Sequence, residues 1–279
     1  MEAVSAAVED TNLIAFGARG DEERRRRHGL KTTFVRVFEV HVDAVPATIP
    51  AGVTAGEVRI VGAPASVAAA TAAVKAALGA AGTLPVTAFS LGDLVDLGGG
   101  SIAGLIDVAG RLAGAGLQTI AEAPIDVLAD AVGMVGAAAK AGLRVPRLTV
   151  RDGMAGSRDR LIALAVQVQA ANGGVRAFAP LPRVTSIAQP STGYDDVKTV
   201  AAARLQAHNI DSIQVDWQLY GPKLAQVALT MGADDIDGVS PLEGDLGRRR
   251  SPIEEIRGNI TAAGLEPIER NGRFERIDR

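Results

Sequence analysis

The sequence predicts an α/β protein built as a parallel (β/α) barrel. Short β-branched or apolar segments alternate with longer helical segments roughly seven to eight times along the chain. The length of 279 residues fits a closed barrel of this kind, which usually occupies about 250 residues. Polar side chains cluster where the predicted strands end, and in such a barrel the residues at strand ends decide the function.

Composition narrows the classes of partner that we expect. A formal net charge of −3 gives no basis for a nucleic-acid or membrane partner. No apolar run is long enough to span a bilayer, and no signal-peptide pattern is visible at the start. We therefore expect a cytoplasmic protein, although the absence of cysteine does not by itself fix the redox compartment.

The chain is predicted to divide into a helical extension, residues 1–31, and a barrel domain, residues 32–279. Within the extension, helices are predicted at residues 2–16 and 19–28. The second helix carries four consecutive arginines beside three acidic residues. This pattern favours a solvated helix face, and a site for phosphate or for a partner protein is the alternative.

The elements of the barrel follow from periods of two for strands and 3.6 for helices. Residues 32–42 alternate β-branched and aromatic side chains and are predicted to form the first strand. Alanine-rich residues 65–82 have helical spacing, and residues 92–100 are predicted as a loop or short helix. The other predicted strands are residues 57–62, 85–90, 117–121, 144–150, 175–181, 213–219 and 233–239. The other predicted helices are residues 101–114, 127–141, 158–172, 197–208, 222–231 and 252–264.

Three carboxylates, Asp234, Asp235 and Asp237, fall where the last barrel strand is predicted. At the mouth of a strand they could bind a divalent cation or a ribose. The favoured alternative is structural: one caps the following segment, and another pairs with Lys223 or an arginine. No metal site is predicted, because neither histidines nor further carboxylates accompany this group, and the lone His41 of the first strand is more typical of a structural residue.

Several stretches resemble the radical SAM enzymes of the futalosine route to menaquinone and of deazaflavin synthesis. The strongest are KLAQVALTMGADDIDG (residues 223–238), TGYDDVKTVAAARLQAHNI (192–210), VQAANGGVRAFAPL (168–181) and AAGLEPIERNGRFERI (262–277). A weaker, collinear likeness covers FGARGDEERRRRHGLKTTF (16–34). The chain is most similar to the aminofutalosine synthase group, and it is also similar to dehypoxanthine futalosine cyclase and FO synthase. The resemblance implies a barrel of the radical SAM type.

The resemblance also implies a cofactor site, from which this sequence departs. Members of the family hold a four-iron cluster on a CxxxCxxC loop after the first strand, and the open iron site of that cluster binds S-adenosylmethionine. This chain contains no cysteine, and thiolates are the ligands that such clusters need. A short loop with two prolines, residues 43–52, follows the predicted first strand. We therefore expect a barrel trimmed around the cluster loop, with neither a 4Fe-4S cluster nor ordinary radical SAM activity.

Individual residues fall at family positions near cofactor and substrate. Gly62 matches a glycine pair that helps to seat the amino-acid part of S-adenosylmethionine, but Ala63 and Pro64 follow it and weaken that seat. Asp126 stands at the place of a family glutamate. Glu243 keeps one charge of a loop that has paired glutamates in the family.

Two further candidates replace a family motif. Arg151 and Asp152 stand where the family has a Tyr-Gly-His-like tripeptide that points into the substrate cavity. The aromatic ring and the imidazole are lost, and an ion pair is a candidate replacement. The eight candidate ligand-binding residues are thus Gly62, Asp126, Arg151, Asp152, Asp234, Asp235, Asp237 and Glu243, and no catalytic residue is predicted.

Two hypotheses of function follow. The first is a non-catalytic relative that works in menaquinone biosynthesis by binding an active radical SAM homologue, a nucleoside-like metabolite, or both. The second is an enzyme that uses Asp126, Arg151, Asp152 and the carboxylates of residues 234–237 for acid–base or metal-assisted chemistry on a small polar or nucleoside-like substrate. No nucleophile–base pair is visible, which favours the first. A decayed gene is a third possibility, against which the regular alternation of strands and helices argues.

Overall fold

A computed structural model describes residues 12–153, 156–184, 193–242 and 253–278. Nine strands are assigned in this part of the chain, and all of their pairings with one another are parallel. They are β1 (Lys31–His41), β2 (Glu57–Val61), β3 (Val86–Ser90), β4 (Ile120–Pro124), β5 (Arg147–Val150), β6 (Ala177–Pro182), β7 (Ser212–Asp216), β8 (Asp235–Val239) and β9 (Glu266–Glu269).

The strands alternate with helices that cover the outside of the sheet. The assigned helices are α1 (Leu13–His28), α2 (Val67–Ala81), α3 (Leu91–Leu97), α4 (Ile102–Gly114), α5 (Ala131–Lys140), α6 (Arg158–Asn172), α7 (Gly193–Gln206), α8 (Trp217–Leu229) and α9 (Ile253–Ala262). Their buried faces are rich in alanine, valine and leucine, which pack against the apolar outer side of the strands. No helix among the described residues is both long and apolar enough to cross a membrane.

Strands β1 to β8 close into a ring, which confirms the predicted barrel. Neighbouring strands pair in chain order from β2 to β8, and β1 pairs with both β8 and β2. The long strand β1 makes this closure possible, because its second half pairs with β2 while its first half pairs with β9. Strand β9 therefore extends the ring below β2, at the amino-terminal end of the strands.

The largest correction to the predicted elements lies at the end of β7. The sequence predicts a strand over residues 213–219, but β7 ends at Asp216 and α8 begins at Trp217. The Asp216 carboxylate accepts a hydrogen bond from the backbone N–H of Leu219, at 3.0 Å, and so caps the helix. The chain kinks at Gly221, where φ is 74°, and the predicted helix from residue 222 follows that kink.

Other differences are shifts of a few residues. Strand β4 begins three residues later than predicted, and α7 begins at Gly193, so Asp195 and Asp196 lie inside its first turn instead of before it. Residues 91–97 form the short helix α3. Of the N-terminal segment, residues 13–28 form the single helix α1, which packs on α7, while residues 1–11 lie outside the described part. The division of the chain into an extension and a barrel domain stays a prediction.

Candidate functional site

Charged side chains fill much of the barrel interior. Inward positions of three strands that are not neighbours in the sheet, β2, β5 and β8, carry Glu57, Arg59, Arg147 and Asp237. All four side chains are buried. Since a buried charge is costly unless it is paired, the contacts among these residues decide whether the interior is stable.

The side chain of Asp237 connects its own strand, β8, to β2 and β5. Arg59 donates hydrogen bonds to both of its carboxylate oxygens, at 2.9 and 3.0 Å, and Arg147 donates to Oδ2 at 2.7 Å. Burial alone would raise the pKa of Asp237, but the attraction of Arg147 and Arg59 outweighs it and holds the pKa far below its usual value. Asp237 is therefore an anion that is shared by two guanidinium groups.

Glu57 completes the buried network on the side of β2. Its Oε1 atom accepts hydrogen bonds from Arg59 Nε at 2.8 Å and from the Thr87 hydroxyl at 2.6 Å. Its Oε2 atom lies 3.7 Å from a terminal nitrogen of Arg147. The two arginines are thus held between two carboxylates, and this arrangement fixes the orientation of their side chains.

Arg183 forms part of the rim above this network, directly after β6. Its nitrogens lie 2.7 Å from Glu122 in the middle of β4 and 2.9 Å from Asp216 at the end of β7. A longer contact of 3.8 Å reaches Asp237 below. Arg183 therefore connects the rim to the buried charges at the carboxyl ends of the strands.

A cavity of about 130 Å³ lies beside the buried charges and is lined by residues of β1 to β5, by Gly62 and Asp93, and by Arg183 directly after β6. Its polar lining consists of carboxylates, guanidinium groups and one hydroxyl group. The lining residues with polar side chains are Glu39, Arg59, Ser90, Asp93, Glu122, Arg147 and Arg183. Apolar contact surface comes from Ile60, Val61, Phe89 and Ala121. A cavity with this lining can hold a small polar molecule.

Glu39 differs from the other lining carboxylates in its surroundings. It lies in register with Arg59 across the β1–β2 pair, yet no hydrogen bond or ion pair from a described residue reaches its carboxylate. Although its side chain is exposed to the cavity, loss of hydration raises its pKa. Arg59 and Arg183 oppose that rise, while Asp216 and Asp237 add to it.

The three carboxylates predicted at one strand mouth point to three different places. Asp237 lies in the network described above, and Asp235 accepts two hydrogen bonds from Arg270, at 2.6 and 2.7 Å. Asp234 is bound by Arg204 and by the backbone N–H of Ile213. The predicted placement of these carboxylates together at the mouth of the strand is wrong. Asp234 precedes β8, and Asp235 and Asp237 occupy successive inward positions within that strand. The structural alternative of pairing with arginine agrees with these contacts, and a ligand-binding role stays a prediction.

Asp126 lies next to Arg151 and Asp152, but its side chain contacts their backbone N–H groups. The Asp126 carboxylate accepts hydrogen bonds from the N–H groups of Arg151 at 2.8 Å, Asp152 at 2.9 Å and Gly153 at 3.2 Å. These contacts hold the loop that follows β5. Ligand binding by these residues stays a prediction, and the contacts show Asp126 stabilising a turn.

Gly62 lines the cavity and lies against the ring of His41. Its φ of 92° favours glycine, and a Cβ atom at this position would meet His41 Nε2 at 2.6 Å. His41 therefore covers the glycine that was predicted to seat part of the cofactor. The last candidate, Glu243, lies outside the described residues.

Sequence reasoning missed the side chains that surround the cavity: Glu39, Arg59, Arg147 and Arg183. A signal was present for the three that lie in strands, Glu39, Arg59 and Arg147, because charged residues at alternate positions of a strand must face either solvent or the interior. In a barrel whose outside is covered by helices, such positions point inward. Arg147 begins the otherwise uncharged strand β5, and Arg59 lies between valine and isoleucine in β2.

Comparison with known proteins identifies the relatives of the chain. Residues 177–279 match the family described as the CofH/MqnC C-terminal region. Aminodeoxyfutalosine synthase of Streptomyces coelicolor is 31% identical over 131 residues, which are 39% of this chain and 34% of the relative. The 5-amino-6-(D-ribitylamino)uracil–L-tyrosine 4-hydroxyphenyl transferase of Archaeoglobus fulgidus is 32% identical over 130 residues, which are 42% of this chain and 38% of the relative.

Over part of its length the chain is similar to the radical SAM enzymes. The resemblance seen in the sequence is thus confirmed, and the matches span about a third of the length of these two curated relatives. Solved structures agree on the barrel fold of the chain. The maturase HydG of Carboxydothermus hydrogenoformans has a TM-score of 0.63 at 11% identity, covering 94% of this chain and 73% of its own. Methylornithine synthase (PylB) has a TM-score of 0.55 at 13% identity, covering 91% and 89%.

The residues of this chain do not fit the iron–sulfur cluster that the similarity to radical SAM enzymes implies. The chain has no cysteine to supply a thiolate. Residues 42–56 connect β1 to β2 without a helix, where the family carries its cluster loop. Within the described ranges, no group of three or more histidine, aspartate or glutamate side chains is arranged to hold a metal ion.

Proposed function

We propose that the protein is a cluster-less, non-catalytic member of its enzyme group that acts in menaquinone biosynthesis, either as a partner of an active radical SAM homologue or as a binder of a small metabolite. The absence of every thiolate ligand carries this proposal, because iron–sulfur clusters are held by cysteine. The similarity to aminodeoxyfutalosine synthase supports the link to the pathway.

The barrel interior gives further support. Arg59 and Arg147 extend from β2 and β5 to Asp237 of β8, so the protein's own side chains occupy the interior below the cavity. The cavity that the described residues line, about 130 Å³, is well below the roughly 300–1,000 Å³ of pockets that enclose drug-sized ligands. This cavity, as the described residues form it, is therefore too small to enclose a whole nucleoside. A small molecule, or the exposed fragment of a larger one, matches the available space.

We expect the purified protein to show no reductive cleavage of S-adenosylmethionine. The test is anaerobic reconstitution with iron and sulfide, followed by a reductant and S-adenosylmethionine, with 5′-deoxyadenosine measured by chromatography. Aminodeoxyfutalosine synthase of Streptomyces coelicolor, treated in parallel, is the positive control. Bound iron with the absorbance of a cluster, together with 5′-deoxyadenosine above the level of a protein-free sample, would contradict the proposal.

A second experiment tests the partner role. The tagged protein, purified from its native host under mild conditions, is expected to bring down a cysteine-bearing radical SAM homologue in stoichiometric amount. Mass spectrometry identifies the partner, and an unrelated tagged barrel protein serves as the control for non-specific capture. Recovery of the protein alone would refute the partner version of the proposal. No change in its melting temperature on addition of futalosine-type nucleosides would refute binding of a nucleoside-like metabolite.

A further inference from the structure

The outer face of α4 leaves two large apolar side chains exposed. Ile102 and Ile106 lie one turn apart and are 41% and 42% exposed, although all leucine and valine side chains of this helix are buried. The middle of the exposed face is formed by Ala103, Gly110 and Gly114, and a Cβ atom added at either glycine would have no neighbouring heavy atom within 4 Å. The described part of the chain therefore leaves this face uncovered. Exposed apolar residues that adjoin one another, unlike single ones, indicate an interaction site.

Both charged residues of α4 lie on one flank of this face. Asp107 and Arg111 form an ion pair at 2.9 Å, and their side chains are 60% and 62% exposed. At about 100° per residue, they lie on one side of the middle row, while Ile102 and Ile106 lie on the other side together with Ala113. Because an exposed ion pair of this kind contributes little to stability, both charged side chains can turn toward a partner at little cost.

These two flanks are self-complementary under a two-fold axis. When a second α4 packs antiparallel on the first across such an axis, each flank meets the same flank of the other copy in reversed order. Asp107 then faces Arg111 of the second copy when the axis passes midway between these two positions, and Ile106 faces Ala113 when it passes midway between those two. The two midpoints differ by about half a residue, or about 0.8 Å along the helix. One arrangement therefore forms both the ion pairs and the apolar contacts.

The neighbouring helix α2 leaves room for this approach. It packs against α4 and carries one charged residue, Lys75, among its 15 residues. The other exposed positions of this helix are alanine or glycine: Ala68, Ala72, Ala76 and Gly79. These short side chains beside α4 permit a second α4 to reach it.

We propose that the chain forms a symmetric homodimer through α4. Ile106 of each copy packs on Ala113 of the other, and the ion pairs between Asp107 and Arg111 across the axis fix the antiparallel register. A second copy is the partner that necessarily carries the complementary surface, because a two-fold axis brings the same patch of both copies together. This assembly goes beyond the proposed function and does not depend on it.

Sedimentation velocity of the full chain tests the dimer. One helix from each copy gives an interface at the small end of the range for specific complexes, so we expect a dissociation constant of about 1–100 μM and a shift from monomer to dimer across that range. Sedimentation as a monomer up to the highest concentration would overturn the inference, even if the face captures another protein such as a radical SAM homologue. A trimer or larger assembly would also overturn it, because a two-fold axis closes at two copies.

Charge reversal tests the register of the two helices. Asp107→Arg alone and Arg111→Asp alone place like charges opposite each other, and each variant should dimerise more weakly by about 10-fold or more. An equimolar mixture of the two variants should recover a dimer, because one copy then offers only cations on this flank and the other only anions. Loss of the ion pair within α4 cannot produce that recovery, since neither variant regains it on mixing. A mixture that associates no better than its components would contradict the proposed register.

The apolar flank is tested by Ile106→Ser. We expect it to weaken dimerisation by about 10-fold or more, because both copies lose an apolar contact. The matched control is Val227→Ser: Val227 is 44% exposed on α8, which follows β7 on the opposite side of the ring from β3, the strand that precedes α3 and α4. Dimerisation of this control should be unchanged, and circular dichroism checks that both variants are folded. Full dimerisation of Ile106→Ser, or equal weakening by Val227→Ser, would place any self-association elsewhere and overturn the inference.

Discussion

Replacing Asp237 with asparagine is expected to lower the free energy of unfolding by about 3–5 kcal/mol, as for other buried ion pairs that lose one partner. The substitution keeps the size of the side chain and removes its charge. Arg59 and Arg147, both almost fully buried, then lose the anion that they share. Equilibrium unfolding in urea, followed by circular dichroism, measures the change.

The control for Asp237→Asn is Asp107→Asn, which removes a carboxylate from an exposed ion pair with Arg111. Such surface pairs contribute about 0–1 kcal/mol, so its unfolding free energy should change little. Adding Arg147→Met to Asp237→Asn should recover part of the lost stability, because only Arg59 then remains and Glu57 still pairs with it. A loss below about 1 kcal/mol for Asp237→Asn would contradict the view that this carboxylate holds the interior together.

The same substitution should change how the protein responds to acid. The pKa of Asp237 is depressed in the folded state, so its contribution to stability is present above the unfolded-state value of 3.8 and is lost as the pH falls toward the folded-state value. The unmodified protein should therefore lose part of its stability on acidification through Asp237. Asp237→Asn, which cannot be protonated there, should lose less over the same pH range.

The fold could be predicted from the sequence because its local patterns and its topology agree. Apolar spacing predicts a helix over residues 158–172, and α6 has the same bounds. The barrel follows from the order of the elements, since parallel strands separated by helices have few alternative arrangements. The predicted end of β7 is wrong because tryptophan and leucine suit a strand, while the deciding contact is the Asp216 cap on α8.

The candidate site could not be predicted in the same way, because its contacts join distant parts of the chain. Arg147 and Asp237 are 90 positions apart, and Arg59 and Asp237 are 178 apart. Sequence patterns indicate that a charged residue in a covered strand faces inward, but they do not indicate its partner. The pattern of carboxylates at and just before β8 therefore allows either a ligand site or the favoured pairing with a basic residue, and each of them binds an arginine in the structure.

The contact between α3 and α4 is the second place where a single substitution should have a large effect. Gly104, in the first turns of α4, lies against the end of α3, and a Cβ atom there would stand 1.8 Å from the carbonyl oxygen of Gly98. The backbone N–H of Gly98 donates a hydrogen bond to the carbonyl oxygen of Leu94 in α3. The Gly98 carbonyl therefore cannot move away without distorting α3. Helix α3 carries Asp93, a lining residue of the cavity, so its displacement would also change the site.

We expect Gly104→Ala to lower the free energy of unfolding by about 1–3 kcal/mol, the usual cost of forcing an extra carbon into a packed contact. The control lies in the same helix: a methyl group added at Gly110 would have no neighbouring heavy atom within 4 Å, so Gly110→Ala should stabilise the protein by about 0.5–1 kcal/mol through helix propensity alone. Thermal and urea unfolding of both variants give the comparison. Equal stabilisation by the two substitutions would show that α3 can move away from α4, and the cavity wall that α3 provides would then be adaptable instead of fixed.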